Sequence, residues 1–174
     1  MSAKLSRFVD AAAVGGATVA LAWALAGAAP AHAELLAHKD LSYDVSKVIA
    51  ETALETCRAK GYAVSVFVVG RDGETLVAMR GDGAGPHTWE NARRKAYTAR
   101  TTRAPSAAFA KRIAENNPLT LQQATLPGMI GIAGGLPIKV GDDTIGGVGI
   151  SGSPSGNDEP CAQAGIDKVQ DQLK

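Results

Sequence analysis

The sequence predicts an α+β domain built on a central antiparallel sheet of about five strands, with helices flanking it. Residues 42–60 repeat apolar side chains at helical spacing, and residues 62–70 are a β-branched and aromatic run typical of a buried strand. Helical patterns fill the middle of the chain, and strand patterns return over residues 129–152 before a final helix. Strands joined by short turns pair antiparallel, which leaves the helices to cover the faces of the sheet.

The first third of the fold is predicted as a helix followed by a β-hairpin. Ser42 is a suitable N-cap for the helix over residues 42–60, and Gly61 suits the position after its last turn. The tight-turn sequence RDG at 71–73 then joins the buried strand to a second strand at 74–80.

The middle third is predicted to be helical. The glycine-rich stretch GDGAGP at 81–86 reads as a loop, and Thr88 is expected to cap a helix that continues to about Arg100. A second, shorter helix is expected over residues 105–115, because a proline and a serine stand at its start.

The last third returns to strands and ends in a helix. Three segments have strand composition: residues 129–135, 136–140 and 144–152. The GDD sequence at 141–143 supplies a turn between the last two. The final helix is predicted over about 158–173, with Asn157 or Asp158 as its cap.

Residues 1–33 are predicted to be a secretory signal peptide and not part of the fold. Two basic residues precede an apolar, uncharged run at 11–29, and the AHA sequence at 31–33 has the small residues that a signal peptidase reads. An uncleaved membrane anchor is the alternative, although the run consists of Ala and Gly more than of Leu and Ile. The expectation is therefore one domain over 34–174, periplasmic or secreted, without membrane attachment after cleavage.

The composition excludes several function classes. The chain has 18 basic and 17 acidic residues and a formal net charge of +1, so bulk charge favours neither nucleic acid nor an anionic membrane as a partner. No histidine or cysteine pair has metal-ligand spacing, and the sequence GISGS around Ser151 lacks the second glycine of a GxSxG nucleophile elbow. No catalytic residue is predicted.

Two cysteines, Cys57 and Cys161, allow one intramolecular disulfide. An exported chain would meet an oxidising compartment, which permits the bond. Two buried free thiols are the alternative, because cysteine is also a common small core residue.

His87 is the candidate ligand residue. It follows the glycine-rich loop and precedes a helix, so it is either a plain loop residue, stacked on Trp89, or an imidazole offered to a bound group. Because glycines and a proline hold it at the mouth of a loop, His87 is a candidate to bind a ligand through its imidazole.

Basic residues follow His87 by one to two helical turns. Arg93, Arg94 and Lys95 could receive carboxylates, and an imidazole beside guanidinium groups suits haem, whose iron binds imidazole and whose propionates pair with arginine. A solvated helix face, aided by a Glu90–Arg94 pair four residues apart, is the alternative. No CxxCH sequence occurs, so haem would be held non-covalently.

Five pieces of the sequence resemble the GlcG/HbpS family in content, order and spacing. They are the hairpin ending in Arg80, DGAGPHT at 82–88, RKAYTA at 94–99, GGLPI at 134–138 and GVGISGSPSGNDEPCA at 147–162. The resemblance extends over about residues 40–173. It implies a profilin-like α/β sandwich and a homo-oligomer, and it implies haem binding in some members and haem degradation or a response to peroxide in others.

The resulting expectation is an exported protein that holds or sequesters haem non-covalently. His87 is the expected axial ligand, with Thr88 beside it and with Arg93, Arg94 and Lys95 as propionate partners. Thr101 and Thr102 are weaker candidates for a pocket lining. A haem-degrading or peroxide-responsive enzyme, and a non-catalytic sensor or partner protein without a haem role, are the alternatives.

Overall fold

A four-stranded antiparallel sheet with helices on both faces forms the centre of the fold in the computed structural model, which describes residues 34–154 and 156–174. The elements are α1 (Tyr43–Ala59), β1 (Ser65–Val69), β2 (Thr75–Arg80), α2 (Pro86–Thr102), α3 (Ser106–Ala114), α4 (Pro118–Gln123), β3 (Gly135–Val140), β4 (Asp143–Ser151) and α5 (Asp158–Lys168), followed by a 3₁₀ turn at Gln170–Gln172. The strand order is β2-β1-β4-β3. The α+β class and the antiparallel sheet are confirmed.

The expectation of about five strands is wrong, since the described part of the chain has four. Residues 129–133 have strand composition but form no strand, because side chains of α2 and α3 bind backbone groups of this segment. The segment first bonds to the sheet at Gly134, whose carbonyl accepts a hydrogen bond from the amide of Ile150 at 2.9 Å. The amide of Ile130 donates to Thr98 Oγ1 at 2.9 Å, and the carbonyl of Ile132 accepts from Ser106 Oγ at 2.7 Å. The profilin-like arrangement implied by the resemblance stays a prediction.

The first helix begins and ends as expected. Ser42 Oγ accepts a hydrogen bond from the amide of Val45 at 3.2 Å, and Gly61 follows the helix with a φ of +80°. The hairpin of β1 and β2 is also confirmed, with Val66 opposite Met79 in its register.

The start of α2 differs from the expectation that Thr88 caps it. The helix begins at Pro86, whose fixed φ and missing N–H suit the first helical position, and Gly85 occupies the cap position. Thr88 is buried inside the first turn, where its hydroxyl donates to the carbonyl of Gly85 at 2.7 Å and lies 2.8 Å from Ser65 Oγ.

The two faces of β1 pack against different helices. Val66 and Val68 belong to the main core with α1 and α5, whereas Phe67 and Val69 pack on the other side against α2. Side chains alternate between the faces of a strand, so a strand buried on both sides must be apolar throughout.

Glycines of β4 allow α2 to lie directly on the sheet. A Cβ atom on Gly147 would lie 2.4 Å from the carbonyl oxygen of Ala96, and one on Gly149 would lie 2.2 Å from that of Ala92. Any side chain at either position would push the helix away from the sheet.

Cys57 in α1 and Cys161 in α5 form a disulfide, with their Cα atoms 5.6 Å apart and both residues fully buried. The bond joins the two helices that cover the same face of the sheet. The sequence allowed either a disulfide or two free thiols, and the packing of α1 on α5 brings the two cysteines close enough to form the disulfide.

The predicted signal peptide at 1–33 lies outside the described residues. Among the residues that the structure does describe, none of the helices combines the length and the apolar character needed to cross a membrane.

Gly149→Ala is expected to lower the free energy of unfolding by about 3 kcal/mol or more, because the new methyl group overlaps the backbone of α2. Urea unfolding followed by circular dichroism measures the loss. Gly70→Ala is the matched control: the atoms nearest its Cβ position belong to the flexible end of Glu74, and a loss below about 1 kcal/mol is expected. Equal losses at the two glycines would contradict the close-approach argument.

Reduction of the Cys57–Cys161 bond is expected to lower the free energy of unfolding by about 2–4 kcal/mol, because the bond closes a loop across 104 positions of the chain. Urea unfolding with and without dithiothreitol measures the difference. A thiol assay on oxidised, denatured protein should find no reactive cysteine, and two reactive thiols would show that the bond does not form.

Candidate functional site

A cavity of about 610 Å³ opens beside the first three turns of α2. Its other walls are the turn after α1, the loop before α2, the segment before β3 and the loop between β4 and α5. This volume is in the range typical of small-molecule sites.

One face of α2 lines the cavity from its mouth to its floor. His87, Asn91 and Lys95 are spaced four residues apart, which places them above one another on the helix. His87 is exposed at the outer end, Asn91 is half-buried, and Lys95 is only 2% exposed. The helix therefore presents an imidazole, an amide and an ammonium group along one wall.

The imidazole of His87 lies close to the backbone of the preceding loop. A methyl group at Gly85 would come within 3.0 Å of ring atom Cε1 and 3.2 Å of Nδ1. Trp89 packs edge-on against Phe67, with ring centroids 4.6 Å apart. The aromatic partner of Trp89 is thus Phe67, and the histidine is presented at the mouth of the cavity.

Thr88 also lines the cavity, but its hydroxyl group is used internally. The two contacts of that hydroxyl, to Gly85 and to Ser65, tie the start of α2 to the first residue of β1. Thr88 therefore positions the turn that carries His87.

Lys95 forms a buried ion pair at the floor of the cavity. Its Nζ atom lies 2.7 Å from Asp158 Oδ2 and donates to the carbonyl of Ile150 at 2.9 Å. The other carboxylate oxygen of Asp158 accepts from Ser153 Oγ at 2.6 Å and from the Ser153 amide at 3.2 Å. The pair thus joins α2 to the β4–α5 loop and holds that wall of the cavity.

Gly134 makes room for this ion pair. Its φ is +122°, a conformation that other residues rarely adopt. A Cβ atom there would lie 2.8 Å from Cβ of Asp158 and 2.9 Å from Nζ of Lys95. Backbone conformation and the ion pair each require glycine at this position.

Arg93 and Arg94 do not line the cavity. Arg93 binds Glu90 through two hydrogen bonds, of 3.0 and 2.7 Å, and Arg94 donates to the carbonyl of Met129. The hydrogen bonds from Arg93 hold the pKa of the Glu90 carboxyl below its usual value, and the same carboxylate raises the pKa of the Arg93 guanidinium.

Of the five predicted site residues, the structure brings His87, Thr88 and Lys95 together at one cavity. Lys95 is committed to Asp158, so it is not a free cation there. The expected Glu90–Arg94 pair is replaced by Glu90–Arg93, three residues apart.

Sequence reasoning missed Asn91 and the part played by Asp158. Asn91 could have been found as the residue one turn beyond His87 on the same face of a helix. The sequence predicts only a helix-capping role for Asp158. Its pairing with Lys95 is not visible there, because the two residues come together only in the folded chain.

Thr101 and Thr102 lie in the last turn of α2, about 20 Å along the helix from His87. They border a second cavity and not the first.

A helix seated on a glycine-lined sheet, with a cavity at its start, characterises this small α+β domain. The chain belongs to the HbpS-like family: the family model described as "Haem degrading protein HbpS-like" matches residues 41–167. The resemblance to the GlcG/HbpS family is confirmed.

Solved structures support this assignment. HbpS is 41% identical over 78% of this chain and 94% of its own, with a TM-score of 0.72. A doubly substituted HbpS from Streptomyces reticuli is 38% identical over 82% of this chain and 98% of its own, with a TM-score of 0.73. PduOC, solved as a heme complex, is 25% identical over 73% of this chain and 93% of its own, with a TM-score of 0.68. Comparison with curated protein sequences finds no match.

Removal of one partner of the buried pair, by Lys95→Met or Asp158→Asn, is expected to lower the free energy of unfolding by about 3–5 kcal/mol. The double variant should lose less than the sum of the two, because neither change then leaves a buried charge unpaired. Lys47→Met is the control, since the exposed Lys47–Glu51 pair is worth under about 1 kcal/mol. Additive losses at Lys95 and Asp158 would contradict a coupled pair.

Proposed function

We propose that this protein binds haem non-covalently in the cavity beside α2, with His87 as the axial ligand of the iron. The observation that carries the proposal is the exposed imidazole at the mouth of a cavity of about 610 Å³. Membership of the HbpS-like family and the heme complex of PduOC support it.

One part of the cavity lining fits a flat, apolar ring. Gly61, Gly83 and Gly85 contribute no side chains to the wall, which leaves space for a planar ring to approach the backbone. Ile132 and Ala133 add apolar surface on the side formed by the segment before β3. The polar groups lie along α2, at the floor, and on the β4–α5 side, where Ser151 and Ser153 line the cavity.

The metal-binding side chains near the cavity fit the iron of haem better than a bare metal ion. Within residues 34–154 and 156–174, no group of three or more His, Cys, Asp and Glu side chains could hold a bare metal ion. Haem supplies four nitrogen ligands to its iron and needs one or two more from the protein. His87 is the imidazole that lines the cavity.

Recognition of the propionates is not assigned to the basic residues of α2. Arg93 and Arg94 are bound elsewhere, and Lys95 is neutralised by Asp158. The proposal therefore rests on the imidazole and on the glycine and apolar part of the wall, and it assigns no residue to the carboxylates. Lys95 acts by holding the β4–α5 loop in place.

Haem degradation is the second candidate, because the matching family model is described as a haem-degrading protein. Degradation consumes the porphyrin with an added reductant and oxygen, or with peroxide, whereas storage leaves it intact. Loss of the Soret band after addition of ascorbate, faster than for free hemin, would favour the enzyme, and an unchanged band would favour storage.

We also infer export through residues 1–33, to the periplasm or the medium, and self-association into a homo-oligomer. The apolar run and small-residue cleavage sequence support export. Cell fractionation of the full chain and size-exclusion chromatography with light scattering test the two inferences separately.

Titration of the purified protein with hemin is expected to shift the Soret band to saturation, and His87→Ala should weaken binding by roughly tenfold or more because the iron loses its protein ligand. Absorption spectroscopy measures both. His38→Ala is the matched control, since His38 is exposed and pairs with Asp40 at 3.1 Å outside the cavity. No Soret shift in the wild type would overturn haem binding, and an identical shift in His87→Ala would overturn the ligand assignment.

A further inference from the structure

A second cavity, of about 390 Å³, lies where the last turn of α2 meets α3 and α4. It is about 20 Å along α2 from His87, so it shares no wall with the cavity proposed for haem. Thr101 and Thr102 form its α2 side, and Met129, which is almost fully buried, forms part of its floor.

Two leucines at the rim of this cavity are unusually exposed. Leu119, on α4, is 64% exposed, and Leu126, just after α4, is 52% exposed. Together with Met129 they give one side of the cavity an apolar surface. Covering such a surface with an aliphatic chain is favourable, because apolar area leaves water.

Arg112 supplies a positive charge to the same cavity. It is half-buried on α3, and its guanidinium carbon lies 5.7 Å from the centroid of the buried Phe109 ring, which restrains its orientation. In the described part of the chain Arg112 forms no ion pair, and Glu115, the residue directly after α3, has its carboxylate 3.8 Å from Lys111 Nζ instead.

No described acidic side chain lines the cavity, so its charge is uncompensated. A ligand that complements it therefore combines an anion with an apolar body. A second copy of this chain complements it poorly, because a two-fold contact puts the same positively charged patch on both sides of the interface. An arginine guanidinium also matches the planar geometry of a carboxylate.

We propose that this second cavity binds an aliphatic monocarboxylate of the fatty-acid class. Arg112 receives the carboxylate, and Leu119, Leu126 and Met129 pack against the chain. The site is independent of haem binding, and its occupation does not require His87.

Decanoate is the probe, and decanol, which has the same chain without the charge, is its matched control. Isothermal titration of the full chain should give decanoate binding at one site, at least tenfold tighter than decanol. Arg112→Gln should weaken decanoate binding at least tenfold and leave decanol binding unchanged. Lys111→Gln, one residue away on α3 with an exposed side chain, should alter neither, and Leu126→Ser should weaken both.

Three results would overturn the site. Equal affinities for decanoate and decanol would show that the carboxylate charge does not contribute to binding. Unchanged decanoate binding in Arg112→Gln, with the fold verified by circular dichroism, would show that Arg112 does not bind the carboxylate. Dissociation of a wild-type oligomer by Leu119→Arg would make this face an interface between copies. Saturating hemin and His87→Ala should both leave decanoate binding intact, so failure of the haem proposal is distinguished from failure of this one.

Discussion

The backbone contact between α2 and β4 is the constraint on which the rest of the structure depends. Gly147 and Gly149 have no side chains, so the carbonyl groups of the helix rest directly on the strand. A helix rises about 1.5 Å per residue and is stiff, so a contact at its middle decides where both of its ends lie. His87 and Asn91 reach the first cavity, and Thr101 reaches the second, because of this single contact.

The buried pair of Lys95 and Asp158 adds a second constraint at the same place. Burying two charges costs free energy that their attraction only partly recovers, so the pair contributes little net stability compared with apolar residues. Its effect is geometric: Lys95 is anchored on α2, and Asp158 holds Ser153 through two hydrogen bonds. One wall of the cavity thereby stays in register with the helix that carries His87, and Gly134 leaves the required space.

The two cavities at opposite ends of α2 differ in chemistry. The first combines an exposed imidazole with glycines, a few apolar residues and the hydroxyl groups of Ser151 and Ser153, and we propose it for a group that carries its own metal. The second combines exposed leucines with a guanidinium that has no ion-pair partner in the described part of the chain, and we propose it for an anion with an aliphatic body. In the described residues neither cavity contains a cluster of acids, histidines or cysteines that would hold a bare metal ion. Ligand binding at both proposed sites would consequently depend on the shape of the cavity and on one side chain, His87 in the first and Arg112 in the second.

Local patterns were enough to determine α1, the β1–β2 hairpin and the α+β class, because helix caps, turn glycines and the two-residue alternation act over a few residues. They also placed His87 where the glycine-rich loop meets a helix, since the two are neighbours in sequence, and its role as a ligand stays a prediction. Only the tertiary structure decided the strand count, the disulfide and the ion pair. Residues 129–133 have the composition of a strand, but the side chains of Thr98 and Ser106 form hydrogen bonds with the backbone of Ile130 and Ile132. The partners in these hydrogen bonds, in the disulfide and in the ion pair are far apart in the sequence. Local patterns cannot identify them, because the packing of the whole chain decides which groups come within bonding distance.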